Sequence, residues 1–135
     1  GGYPVIYFAD NSDPDKKPHY WRRKDFPDII YRTAEAKQRS VVTEIVRHHV
    51  PDIPDLLERQ LVMFIHEVRK LELKKVPSIS ETIDWARALI LLHAEGLDRD
   101  LTRKTLNTFL KFEEDVRVVD EKLFLLVDKA LKETT

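Results

Sequence analysis

From residue 33 onward the apolar residues recur at intervals of three and four, so the chain reads as a succession of helices separated by proline, glycine and paired charges. Thr33 can cap a first helix running to about His49, with Val41, Val42, Ile45 and Val46 on its inner face and Pro51 ending it. A second starts near Pro54, since proline suits a first turn, and carries Leu57, Leu61, Phe64, Ile65, Val68 and Leu71 as one apolar stripe. The third is the most apolar. Pro77 stops what precedes it, and Ser78 with Glu81 three residues on makes a capping box. From Ile79 to Leu92 the polar side chains are few, Glu81, Thr82, Asp84 and Arg87 among them, and a helix apolar around most of its circumference belongs inside a domain. The other helices are therefore expected to pack around it, with Trp85 in the core and Gly96 as its left-handed C-cap. Asp98 or Asp100 opens a fourth helix with Leu101, Leu106, Phe109 and Leu110 inward, and a junction near Glu113 leads to a last one repeating Val116, Val119, Leu123, Leu126, Val127 and Ala130.

The first 32 residues follow another pattern. Pro4 to Ala9 is a short β-branched and aromatic run closed by Asp10-Asn11-Ser12-Asp13-Pro14, as in one buried strand entering a turn. Residues 12–32, rich in Pro, Asp and Lys, read as an ordered loop anchored by Tyr20, Trp21 and Phe26. The expected fold is all-α: a compact bundle of four to five helices over residues 33–135, with one strand-like segment and loop over residues 1–32 that is either the end of a preceding domain or, at Gly1-Gly2, an expression remnant.

Composition narrows the function classes. With 23 Lys plus Arg against 24 Asp plus Glu there is no net basic field to drive nucleic-acid binding. Cysteine is absent, which removes disulfides and thiolate metal sites and agrees with a reducing compartment. No apolar run approaches the roughly 18 residues of a membrane span, and no signal-peptide pattern opens the chain, so a cytoplasmic location is expected.

Candidate chemistry is sparse. His48-His49 lie at a helix end near the last carbonyls, but adjacent side chains diverge by about 100° and no third ligand is spaced to join them, so no metal is expected. His66 and His93 are single histidines on helices. Glu113-Glu114-Asp115 and Lys74-Lys75 read as solvated helix-end charges complementing the dipole. Asp84 and Arg87, three apart, share a face: either they pair, partly buried, or Arg87 faces something anionic. No Ser/His/Asp set, glycine-rich phosphate loop or paired metal carboxylates can be found, so the residues alone do not indicate an enzyme.

The run Lys75-Val76-Pro77-Ser78-Ile79-Ser80-Glu81-Thr82-Ile83-Asp84-Trp85-Ala86-Arg87-Ala88-Leu89 resembles the C-terminal lid of AAA+ ATPases of the MoxR group, in the branch associated with carbon monoxide dehydrogenase maturation. Val46 to Pro51 and Phe64 to Leu73 are similar to flanking parts of that lid, so the resemblance covers residues 34 to about 118. It implies a helical lid that closes over ATP and Mg²⁺ held by an upstream core domain, within a hexameric ring, serving chaperone-like maturation of a metalloenzyme complex with a client protein or a von Willebrand factor A-type partner. By the same resemblance Asn11 stands as sensor 1, Arg22 and Arg23 as the arginine finger, and Ser80, Glu81 and Arg87 as the sensor-2 region. Glu81 occupies the position where many such lids carry an arginine, which leaves that role empty or passes it to Arg87. The P-loop and the acidic Mg²⁺ motif are absent from this chain, so no catalysis and no tight ATP binding are expected of it alone. The alternative is a stand-alone, non-enzymatic helical interaction module.

Overall fold

The computed structural model describes residues 28–134, with side chains from Thr33 onward. Every regular element among them is helical: α1 Asp28–His49, α2 Asp55–Val68, α3 Ile79–Leu91, α4 Arg99–Lys104, α5 Leu106–Phe109, α6 Glu113–Glu121 and α7 Leu123–Thr134. The all-α bundle expected from the apolar periodicity is the observed fold. The strand-like run Pro4–Ala9 lies outside the described residues.

Four sequence expectations need correction, each for a physical reason. First, α1 begins at Asp28, not at Thr33. On the same helix Val42 and Val46 are buried as expected, whereas Val41 faces solvent.

Second, the helix at the centre is α2. Ten of its 14 residues are buried, including Gln60, Val62 and Met63 off the predicted stripe. Only six of the 13 residues of α3 are buried. α2 is covered from several sides, by α1, α3 and, most extensively, α7. α3, by contrast, outruns its packing partners, so that Leu91 and Leu92 emerge into solvent.

Third, two expected helices are broken, which turns five into seven. Thr105 (φ −110°, ψ 8°) separates α4 from α5. Its hydroxyl reaches the Leu101 carbonyl at 2.9 Å, the kind of back-bond that bends helices. Lys122 (φ −102°, ψ 7°) separates α6 from α7. The apolar repeat Val119, Leu123, Leu126, Val127 and Ala130 stays buried across that break, so periodicity alone could not reveal it.

Fourth, α3 ends in a left-handed residue, but this is His93 (φ 59°) rather than Gly96. The Ala94 amide returns to the Leu89 carbonyl at 3.0 Å and the His93 amide to Ile90 at 2.9 Å, a Schellman closure. Gly96 is needed for space. A Cβ there would lie 2.9 Å from Gln60 Oε1, the atom that accepts the buried Leu97 amide at 2.8 Å. His93→Gly should accordingly stabilise the domain by about 0.5 kcal/mol, relief of the positive φ outweighing the added freedom of the unfolded chain. The midpoint of urea unfolding checks it.

The core is continuous, and its centre is aromatic. The Trp85 ring centroid lies 4.5 Å from that of Phe109 and 5.4 Å from that of Phe64. The Trp85 indole donates to Thr105 Oγ1 at 2.8 Å, tying α3 to the α4–α5 break.

Candidate functional site

The start of α3 is built as its sequence indicates. Ser78 caps the helix, its Oγ accepting the Glu81 amide at 3.2 Å, while Glu81 Oε1 accepts the Ser78 amide at 3.0 Å. Thr82 is fully buried and bonds back to the Ser78 carbonyl at 2.8 Å, which leaves the first turn with little freedom.

On this frame the candidate residues divide. Ser80, Asp84 and Arg87 are exposed and, at spacings of four and seven, lie along one outer face of α3. No ion pair joins Asp84 to Arg87 among the described residues, and both are exposed, so the partly buried pair does not form. Glu81 points inward and is 6% exposed. Its Oε2 lies 3.7 Å from Lys75 Nζ and 3.6 Å from Lys111 Nζ. Ser80 and Arg87 are thus brought together and Glu81 is set apart from them. Asn11, Arg22 and Arg23 lie outside the described residues.

Two polar arrangements had no signal in the local sequence. Asp115, read as a solvated helix-end charge, is buried. Its two oxygens accept the backbone amides of Lys74 at 2.8 Å and Lys75 at 3.0 Å. A carboxylate in a first turn normally suggests only dipole compensation, and nothing near Asp115 marks two amides forty residues away as its partners. Glu113 and Glu114 are solvated as expected.

The second arrangement joins α1 to α2. His66 Nε2 lies 2.7 Å from Glu35 Oε2, and Lys70 Nζ lies 2.6 Å from the same oxygen. Glu67 then links Lys70 at 3.0 Å to Lys129 of α7 at 3.0 Å. Burial lowers the pKa of His66, more than its bond to Glu35 restores it, so at neutral pH the ring is uncharged and donates Nε2–H to the carboxylate. Burial alone would raise Glu35, but hydrogen bonds from His66 and Lys70 overcome it and hold the carboxyl at about 2. This histidine is therefore a partner-bonded structural group.

A pH dependence follows. Both folded-state pKa values lie below the unfolded ones, so both groups stabilise the fold at neutral pH. His66 loses its contribution as pH falls below 6.5, and Glu35 loses its own between 4.5 and about 2. Acidification should lower stability in two stages by on the order of 3 kcal/mol in all, solvent screening taking back part of the full shift. His66→Gln should remove the upper stage in melts recorded across the pH range.

His48 and His49 are exposed at the end of α1, their rings edge to face at 5.3 Å. Among the described residues no cluster of three or more His, Asp or Glu side chains is placed to hold a metal ion, and no helix is long and apolar enough to cross a membrane. No family model, no curated protein and no solved structure matches this chain.

Proposed function

We propose that residues 33–135 form the C-terminal helical lid of a MoxR-type AAA+ ATPase, closing over ATP and Mg²⁺ bound by a core domain and coupling hydrolysis to chaperone-like maturation of a metalloenzyme complex. The observation that carries this reading is the character of α3, which lies in the stretch bearing the resemblance: Ser80, Asp84 and Arg87 project from a helix whose other side is anchored by Trp85, Ala86 and Leu89. A lid moves as a rigid body and offers a few placed polar groups, so it needs a firm core and no catalytic constellation of its own. In this reading Arg87 takes the sensor-2 role, Asn11 acts as sensor 1, and Arg22 and Arg23 reach a neighbouring subunit in a hexameric ring. The partner is a client protein or a von Willebrand factor A-type protein.

Recovery of the full-length gene tests the proposal directly. A Walker A motif upstream of residue 3, with ATPase activity that Arg87→Ala reduces, supports it; a natural start near Tyr3 overturns it. The chain alone should neither hydrolyse nor tightly bind ATP, because positioning the phosphates and Mg²⁺ requires a phosphate loop and acidic ligands. Turnover by the purified chain, abolished by a substitution within it, would refute that expectation.

A second reading, an interaction module without enzymatic activity, draws on Leu91 (78% exposed), Leu92 (55%), Phe124 (55%) and Leu125 (69%). Exposed apolar residues of this size suit a protein partner. The same gene recovery separates the two readings.

A further inference from the structure

The outer face of α3 carries a stripe that is symmetric about its own middle. Ser80, Asp84, Arg87 and Leu91 follow one another at spacings of four, three and four, so they line one side of a helix whose remaining sides pack on α1, α2 and α5. All four are exposed, Leu91 to 78%. Among the described residues neither Asp84 nor Arg87 has an ion-pair partner, whereas Arg103, Lys104 and Lys132, also exposed, pair with Asp120, Asp100 and Asp128. One carboxylate and one guanidinium are thus left side by side, each without its opposite charge.

Alternating spacings of four and three form the seam along which two helices pair. The stripe is centred on the Trp85–Ala86 peptide, with Asp84 and Arg87 one residue out on either side and Ser80 and Leu91 five residues out. A second α3 laid antiparallel across that point, about a twofold axis, therefore brings Asp84 of each copy opposite Arg87 of the other, and Ser80 opposite Leu91. The charges match at both crossings. A parallel pair would instead set Asp84 against Asp84 and Arg87 against Arg87, and the antiparallel one has the further advantage of opposed helix dipoles.

We propose that the outer face of α3 is a docking surface for a second copy of this chain, held by two reciprocal Asp84–Arg87 salt bridges with Leu91 of each copy over Ser80 of the other. Ser80 and the half-buried Ala88 are small, which lets the two helix axes come close. Leu91 loses its apolar surface to water at both ends of the contact. A helix of 13 residues is about 20 Å long, so the contact falls below the roughly 1,200 Å² of standard interfaces and makes a weak, reversible dimer. The pairing does not rest on the lid reading. A core domain would compete for the same face, so the dimer is a property of the chain on its own.

The test is sedimentation of the 135-residue chain at concentrations from about 1 μM to about 1 mM. A monomer–dimer equilibrium is expected, and it should weaken as salt rises. Asp84→Arg and Arg87→Glu should each abolish the dimer, because like charges then meet at both crossings, while the exposed position of both residues leaves the melting temperature of the monomer near that of the parent. Mixed in equal amounts, the two variants should pair with each other. A chain carrying both substitutions should dimerise like the parent, since the charges are exchanged and still match. A monomer at every concentration overturns the proposal and leaves the stripe to a different partner. A dimer that survives either single reversal overturns it too, and moves the contact to another surface such as Phe124 and Leu125. Loss of the dimer in both variants without recovery on mixing or in the double variant rules out the reciprocal pairing.

Discussion

Trp85→Ala is expected to cost about 3–5 kcal/mol, the usual range for truncating a fully buried aromatic. Trp85 has no exposed surface, packs at a tilt against Phe109 and Phe64, and its indole donates to Thr105. Alanine would leave a cavity where α3 meets α2 and α5, and it would strip the Thr105 hydroxyl of its donor at the point where the α4–α5 segment bends. Against a total stability of roughly 5–15 kcal/mol for such a domain the loss is severe. At about 4 °C per kcal/mol it lowers the melting temperature by on the order of 15 °C. Trp85→Phe separates the contributions: it retains most of the apolar contact and gives up the indole hydrogen bond, worth about 1 kcal/mol. Arg87→Ala, on the exposed face of the same helix, should change stability by less than about 0.5 kcal/mol. If Trp85→Ala melts like the parent while Arg87→Ala collapses the fold, the faces of α3 are the reverse of those described.

The elements that could be read from the sequence are those governed by neighbouring residues. The Ser78–Glu81 capping box spans three positions, the Pro51 stop is a property of one residue, and the stripe Leu57–Leu61–Phe64–Val68 needs only the helical repeat; all three appear as expected. What local pattern could not show was the choice among helices. α3 is the most apolar segment, yet α2 lies at the centre, because burial depends on how many neighbours surround a helix and not on composition alone. The left-handed position at the end of α3 was missed for a related reason. Glycine is the favoured residue there, so Gly96 attracted the assignment, while the glycine is fixed by the approach of Gln60 from another helix.

The candidate site was legible to the same limited extent. Ser80 and Arg87 come out on one face because a spacing of seven brings residues into line on any helix. Glu81 turns inward because its capping bond and the two lysines hold it there, and Lys111 is too distant in sequence to have signalled that arrangement. The Glu35–His66–Lys70 cluster is likewise invisible to local pattern, since Glu35 and His66 lie on separate helices.

The second large effect is expected at Asp115, where a single carboxylate ties the connection before α3 to the first turn of α6. Asp115→Ala removes two charge-assisted hydrogen bonds and leaves the Lys74 and Lys75 amides without their acceptor. Bonds of this kind contribute about 1.5–3 kcal/mol each, but they share one side chain and are not additive, so a loss of about 2–4 kcal/mol is expected. Asp115→Asn tests the origin of the effect. Its oxygen can still accept one amide while its NH₂ opposes the other, so it should fall between the parent and the alanine variant. Glu114→Ala, which breaks only an exposed pair with Lys74, should leave the unfolding midpoint nearly unchanged. Hydrogen exchange locates the damage: the Lys74 and Lys75 amides should lose protection in Asp115→Ala more than the interior of α2 does. Were those amides to stay protected and the midpoint to stay within about 0.5 kcal/mol of the parent, the connection would be held by its own packing through Leu73 and Val76, and the carboxylate would be a passenger.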